Sequence, residues 1–154
     1  MPESPIDDLS PSQVRSLILE GHELLRIRLI EVSREAGKVL ENADASDSRL
    51  RSEIDALLEI LDEHMALEER ILVPALLDTD SWGEERANRF RAEHDRQREI
   101  IFELLEFLER SSSSTGLGLM AWGLVEMLRR DMQEEERVSL KEDVLRDDLV
   151  NPSP

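Results

Sequence analysis

No cysteine occurs among the 154 residues, and no tyrosine. Without cysteine there is no disulfide framework, no thiolate nucleophile and no cysteine metal site. Aromatic residues make up only 3% of the chain. No glycine-rich phosphate loop and no Gly-x-Ser-x-Gly elbow is present. No apolar run approaches the roughly 20 residues that a membrane helix needs. Basic residues are scarce: 19 Lys and Arg against 36 Asp and Glu leave a formal charge of -17. Such a surface repels phosphate backbones and anionic lipid, so neither nucleic acid nor membrane is an expected partner, whereas cations are drawn to it. The opening stretch MPESPIDDLSPS has neither the basic nor the apolar region of a secretion signal. The expected location is therefore cytoplasmic.

What is present favours helix. Hydrophobic residues reach 40%, and Leu, Glu and Arg dominate. The length suits one domain with a sizeable core. Residues 1–10 read as a flexible arm. Ser10 then reads as an N-cap, with Pro11 at the first helical position and Gln13 completing a capping box. The first helix is expected from Pro11 to about Ala43, with the apolar stripe Ile18, His22, Leu25, Leu29, Val32, Ala36, Val39. After the polar loop ADASDS, a second helix runs to about Leu77 on the stripe Leu50, Ile54, Leu57, Leu61, His64, Glu68, Ile71, Ala75. Pro74 should bend or loosen its last turn. Ser81 and Glu84 read as a second capping box, opening a third helix on Ala87, Phe90, His94, Gln97, Ile101, Leu104, Leu108. Beyond the serine run 111–115, a fourth helix carries Leu117, Ala121, Leu124, Leu128, Asp131, Glu135, Val138. Four helices of similar length with short loops imply an all-α, up-down-up-down four-helix bundle over residues 11–142. An acidic tail occupies 143–154, with a short extra helix expected around Val144 to Leu149.

Each stripe is broken by polar side chains: His22 on the first helix, His64 and Glu68 on the second, His94 on the third, Asp131 and Glu135 on the fourth. In an antiparallel hairpin, residues at one height are equidistant from the turn. His22 and His64 are centred on residue 43, in the first loop. The His64–Glu68 pair and His94 are centred on residue 80, in the second. His94 and the Asp131–Glu135 pair are centred between 113 and 114, in the third. Three imidazoles and three carboxylates thus converge at one level inside the bundle. Buried carboxylates are costly unless paired, protonated or bound to a metal. Imidazole nitrogen with carboxylate oxygen is a ligand set for iron, manganese or zinc.

This pattern resembles the hemerythrin-like family, also called HHE cation-binding domains, over roughly residues 12–142. The residues that carry the likeness are His22; His64 with Glu68 in EHMALEERILVPAL; His94 in AEHDRQRE; and Asp131 with Glu135 in DMQEEERVSL. The likeness implies two iron ions, oxo- or hydroxo-bridged, with manganese or zinc as substitutes. It implies His22, His64, Glu68, His94, Asp131 and Glu135 as ligands, with Glu68 and Glu135 bridging. The implied partner is dioxygen, peroxide or another small diatomic ligand, and the implied assembly a monomer or homodimer. Two departures stand out. Asp131 occupies a position where the family usually has His, and Arg98 one where oxygen carriers have a further His. The added negative charge favours ferric iron, which points from reversible oxygen carriage towards oxidation, peroxide reaction or sensing of oxygen, nitric oxide or iron.

Two plainer alternatives stay open. An Arg98–Asp131 ion pair replaces one metal, leaving a mononuclear site of His22, His64, Glu68 and Glu135. Or the chain is a metal-free acidic interaction module. A ferritin-like oxidase is disfavoured, since no Glu-x-x-His occurs. Glu23, Glu69, Glu134 and Glu136 are assigned to a solvated face, and Met65, Met120, Met127 and Met132 to core filling. Gly21 either leaves room at the site or allows close helix packing. Leu24, Ile27 and Ile30 lie off the stripe and either cover neighbouring helices or form a dimer face.

Overall fold

Ser10 fixes where the first helix starts. Its side chain accepts from the Gln13 amide, and the Gln13 side chain accepts from the Ser10 amide at 2.8 Å, the reciprocal cap the sequence implies. The computed structural model describes residues 8–110 and 112–148. Helix α1 spans Pro11–Glu41, α2 Ser48–Leu67, α3 Val73–Leu77, α4 Gly83–Arg110 and α5 Ser114–Val138. No strand occurs among the described residues. The chain is an all-helical bundle in which α1 lies against both α2 and α5. No described helix is long and apolar enough to cross a membrane.

The single long second helix expected from the sequence is three pieces. Between α2 and α3, residues Glu68–Leu72 form one π-helical turn, in which the Val73 amide donates to the Glu68 carbonyl five residues back. Pro74 has no N–H, so the ordinary ladder is already interrupted at this point. The wider turn takes up one extra residue and rotates the next stretch of helix by about 100°. Hence Leu76 is fully buried and Ala75, the next stripe residue by period, is only half-buried.

The Ser81–Glu84 capping box gives way to another device. Asp80 Oδ1 accepts from the Trp82 amide at 2.8 Å, the Gly83 amide donates to the Asp80 carbonyl, and α4 begins only at Gly83. Residues 139–148 form turns rather than the expected short helix, and Leu149 lies outside the described residues. This segment folds back on the start of α1. Leu140, Val144 and Leu145 are buried, Arg15 Nε donates to the Leu140 carbonyl, and Asp147 accepts from the Ser12 amide and hydroxyl.

The apolar core has two parts. One gathers Leu25–Val39, Leu50–Met65 and Leu117–Met132 from α1, α2 and α5, with Leu104 of α4. The other gathers Val14, Ile18, Ile71–Leu76, Ala87, Phe90, Leu140 and Leu145. Most of the polar stripe residues fall between these parts: His22 between Ile18 and Leu25, His64 and Glu68 between Leu61 and Ile71, His94 between Phe90 and Leu104, and Glu135 between Met132 and Leu140. A polar layer is therefore sealed above and below by hydrocarbon. Met65 and Met132 are buried in the first part, as core filler. Leu24, Ile27 and Ile30 do not cover neighbouring helices, being 59%, 59% and 50% exposed.

Candidate metal centre

Four side chains from four segments meet in the polar layer. His22 comes from α1, His64 from the last turn of α2, Glu68 from the start of the π turn and Glu135 from α5. One ligand atom from each lies within 4.8 Å of the other three, and all four residues are buried. His64 Nε2 and Glu68 Oε1 are 2.8 Å apart, yet Nε2 makes no hydrogen bond, because the approach lacks the required direction. Glu68 Oε2 is also buried without a partner. Two orphaned ligand atoms in a sealed layer are costly to leave unsatisfied. A cation satisfies both, so the residues present fit a bound metal.

Gly21 is what admits the His64 ring. A Cβ built at Gly21 would stand 2.4 Å from His64 Nδ1 and 2.7 Å from Cε1. A cavity of about 20 Å3 lies between His22, His64, Glu68, Gln97, Asp131 and Glu135. That is room for roughly one water-sized guest.

Electrostatics favour ligation. Burial, then the charge of His94, lowers the His64 pKa to about 4, so its ring is neutral with a free lone pair near neutral pH. Burial, then the charge of Glu68, pushes Glu135 well above the usual carboxylate range. A cation between them relieves that repulsion and displaces the proton.

Around this cage sits a second layer with an approximate two-fold pattern. His22 points Nε2 at Glu135 Oε1, 3.1 Å away, and Nδ1 at Glu136 Oε2, 3.2 Å away. Arg26, four residues after His22, donates to Glu136. His94 points Nε2 towards Glu68 Oε1 at 3.7 Å and Nδ1 at Glu69 Oε1 at 3.0 Å. Arg98, four residues after His94, donates to Glu69. An imidazole Nδ1–H held by a carboxylate turns Nε2 inward as a lone pair. Glu69 and Glu136 therefore do not belong to an idle solvated face; hydrogen bonds from the histidines and arginines hold both below their ordinary pKa despite the opposing effect of burial. Burial lowers His94, but Glu68 and Glu69 outweigh it and raise its pKa. Glu23 and Glu134 remain outside this layer, on Arg26 and Arg137.

Sequence reading did not pick out this outer layer, although two signals for it were present. His-x3-Arg occurs in both α1 and α4, and the doublet Glu-Glu occurs in both HMALEER and DMQEEER.

Asp131 and His94 stand apart from the four-residue cluster. Asp131 is buried, but its oxygens are held by Arg96 Nη2 at 2.8 and 2.9 Å and by Gln97 Nε2 at 3.0 Å. The Arg98–Asp131 ion pair of the mononuclear alternative is not formed; the arginine on Asp131 is Arg96. Spacing from His94 suggested Arg98, but that side chain turns to Glu69 and Asp95 instead. Glu93, which the sequence stripe passed over, has Oε1 buried with no partner. Burial, followed by the charges of Glu135, Asp131 and Glu68, raises its pKa to about 8. Glu93 and Glu135 also line a cleft of about 30 Å3 beside Arg89 and Phe90.

A family model described as the hemerythrin HHE cation-binding domain matches residues 14–141. The chain belongs to that family. No curated protein and no solved structure matches it. The matched span of the HHE domain contains the whole polar layer, from His22 to Glu136. Cation binding is thus the property that the family description and the buried His–Glu cluster share.

Proposed function

We propose that this HHE domain binds non-haem iron, with manganese or zinc as substitutes, and uses it to bind, sense or react with a small ligand. Dioxygen, peroxide and nitric oxide are the ligands of matching size, and iron itself is the sensed species in the simplest case. The observation that carries this reading is the buried cluster of His22, His64, Glu68 and Glu135 with two orphaned ligand atoms. His22, His64, Glu68 and Glu135 would hold one ion there, and His94 with Glu68 and Glu135 would hold a second. The four helices run up-down-up-down in this reading, which is what brings all four stripes to one height.

A bound ion supplies vacant coordination positions and a change of oxidation state. The chain supplies the rest. Glu136 and Glu69 orient His22 and His94 and keep their Nε2 lone pairs inward. Arg26 and Arg98 balance the charge of those carboxylates. Apolar residues on both sides of the layer exclude bulk water. Burial beside Glu68 favours the protonated form of Glu135, and a bound cation would favour its carboxylate instead. With several carboxylates in and around the layer, the higher oxidation state is favoured over reversible oxygen carriage.

A mononuclear site is the second reading, and one observation favours it: Asp131 is already satisfied by Arg96 and Gln97. Metal analysis of protein from an iron-supplemented host, with a near-ultraviolet spectrum, separates the readings. Two irons per chain support the dinuclear reading and one iron the mononuclear. No metal retained from iron, manganese or zinc leaves a metal-free interaction module.

A further inference from the structure

The two halves of the polar layer match residue for residue, and the mismatches are informative. His22 and Arg26 of α1 correspond to His94 and Arg98 of α4. Glu68 and Glu69 correspond to Glu135 and Glu136. Two positions break the match. His64 corresponds to Asp131, and Gly21, which precedes His22, corresponds to Glu93, which precedes His94.

These two exchanges are reciprocal in size. In the first half a long ligand, His64, lies directly against the bare backbone of Gly21. In the second half the corresponding ligand position carries the short Asp131, whose oxygens are taken by Arg96 and Gln97. Bulk and negative charge come instead from position 93. Glu93 Oε1 is fully buried and has no partner. Its neighbours in charge are Glu135, Asp131, Glu68 and His94: the two central carboxylates and the two residues that stand apart from the four-residue cluster. Glu93 and Glu135 line the same cleft. A buried carboxylate oxygen with no donor, set among other carboxylates, is stable only with a proton or a cation.

We infer that Glu93 is a ligand of the second cation, taking the place that Asp131 would fill, together with His94 and the shared carboxylates Glu68 and Glu135. This rests on the metal-binding reading above and goes beyond it by naming which carboxylate completes the second position. Arg96 withholds Asp131, and the exchange of Gly21 for Glu93 supplies the substitute from the opposite helix.

The test is a titration of the metal-free full-length chain with ferrous iron under nitrogen, read by calorimetry and by metal analysis after gel filtration. Wild type, Glu93→Gln, Glu93→Asp and Asp131→Asn are compared. The expected result is two ions for wild type and for Asp131→Asn. Glu93→Gln keeps the first ion at wild-type affinity and binds the second at least about 10-fold more weakly. Glu93→Asp, which keeps the charge but shortens the reach, weakens the second ion as well and serves as the readout if the glutamine variant does not fold. A role in folding alone would lower thermal stability and leave the two affinities in their wild-type ratio, which overturns the inference. So does a second ion bound by both Glu93 variants as tightly as by wild type. Wild type that takes one ion overturns this inference and leaves the first site standing. Wild type that takes none overturns both.

Discussion

Adding one methyl group at Gly21 sets two opposing effects against each other. Replacing glycine by alanine inside a helix is worth about 1 kcal/mol in favour of folding. Gly37 and Gly123 show that gain alone, since a Cβ at either meets nothing within 4 Å. For a chain of 154 residues about 1 kcal/mol is roughly 2–4 °C in melting temperature. At Gly21 the new Cβ would come within 2.4 Å of His64 Nδ1, an impossible contact. Either the ring turns away or α1 and α2 move apart, and overpacking of this kind costs about 1–3 kcal/mol. The balance for Gly21→Ala is therefore between no change and a loss of about 2 kcal/mol, against a gain for the two controls. The ring that must move is a proposed ligand, so ferrous iron should bind at least about 10-fold more weakly. Urea unfolding of the metal-free variants and calorimetric titration with iron measure both effects. If Gly21→Ala gains as much stability as Gly37→Ala and binds iron like wild type, the close contact, and the role given to His64, are wrong.

The same geometry sets other expectations. Glu136→Gln removes the carboxylate that holds His22 Nδ1 and faces Arg26, and iron affinity should fall about 10-fold with little change in helix content by circular dichroism. Stability of the metal-free protein should fall as pH climbs from 6.5 to 8. Glu93, Glu135 and His94 all have raised folded-state pKa values, so each favours the folded state while protonated, and that contribution is lost as pH climbs through the folded values. For Glu93 the loss begins at its ordinary 4.5 and ends at about 8. His64 has the opposite sign: its pKa falls from 6.5 to about 4, so its contribution is lost as pH drops across that window. Glu93 is partly open to solvent, and after screening its share between pH 6 and 8 is on the order of 1 kcal/mol, measurable by urea unfolding at the two values. With saturating metal the alkaline decline should disappear, because the cation replaces the protons.

The long helices and the polar layer were legible because both rest on period. Steps of three and four placed His22, Leu25, Leu29 and Val32 on one buried face, and equidistance from the loops put the polar residues at one height. Period failed where the backbone left the α form. The π turn before Pro74 added a residue and moved burial from Ala75 to Leu76. Capping logic worked at Ser10, where side chain and backbone bond reciprocally. It failed at Ser81, because Asp80 reaches the Trp82 amide first. The outer layer was hidden for another reason. Glu69, Glu136, Arg26 and Arg96 sit at the rim of their helices, where period assigns them to solvent. Their roles depend on contacts between helices, and spacing along one chain does not resolve whether Arg96 or Arg98 reaches Asp131. Glu93 escaped notice because it lies one residue off the stripe, and only its orphaned oxygen marks it.

The bundle would then enclose a cage whose buried carboxylates and imidazoles are satisfied only around a positive ion. Thermal unfolding of the metal-free chain, repeated with ferrous iron under nitrogen at about 100 times its dissociation constant, tests it most directly. Wild type should gain about 2.7 kcal/mol, and His64→Ala should lose that gain. Superimposable unfolding curves with and without iron, manganese and zinc would contradict it.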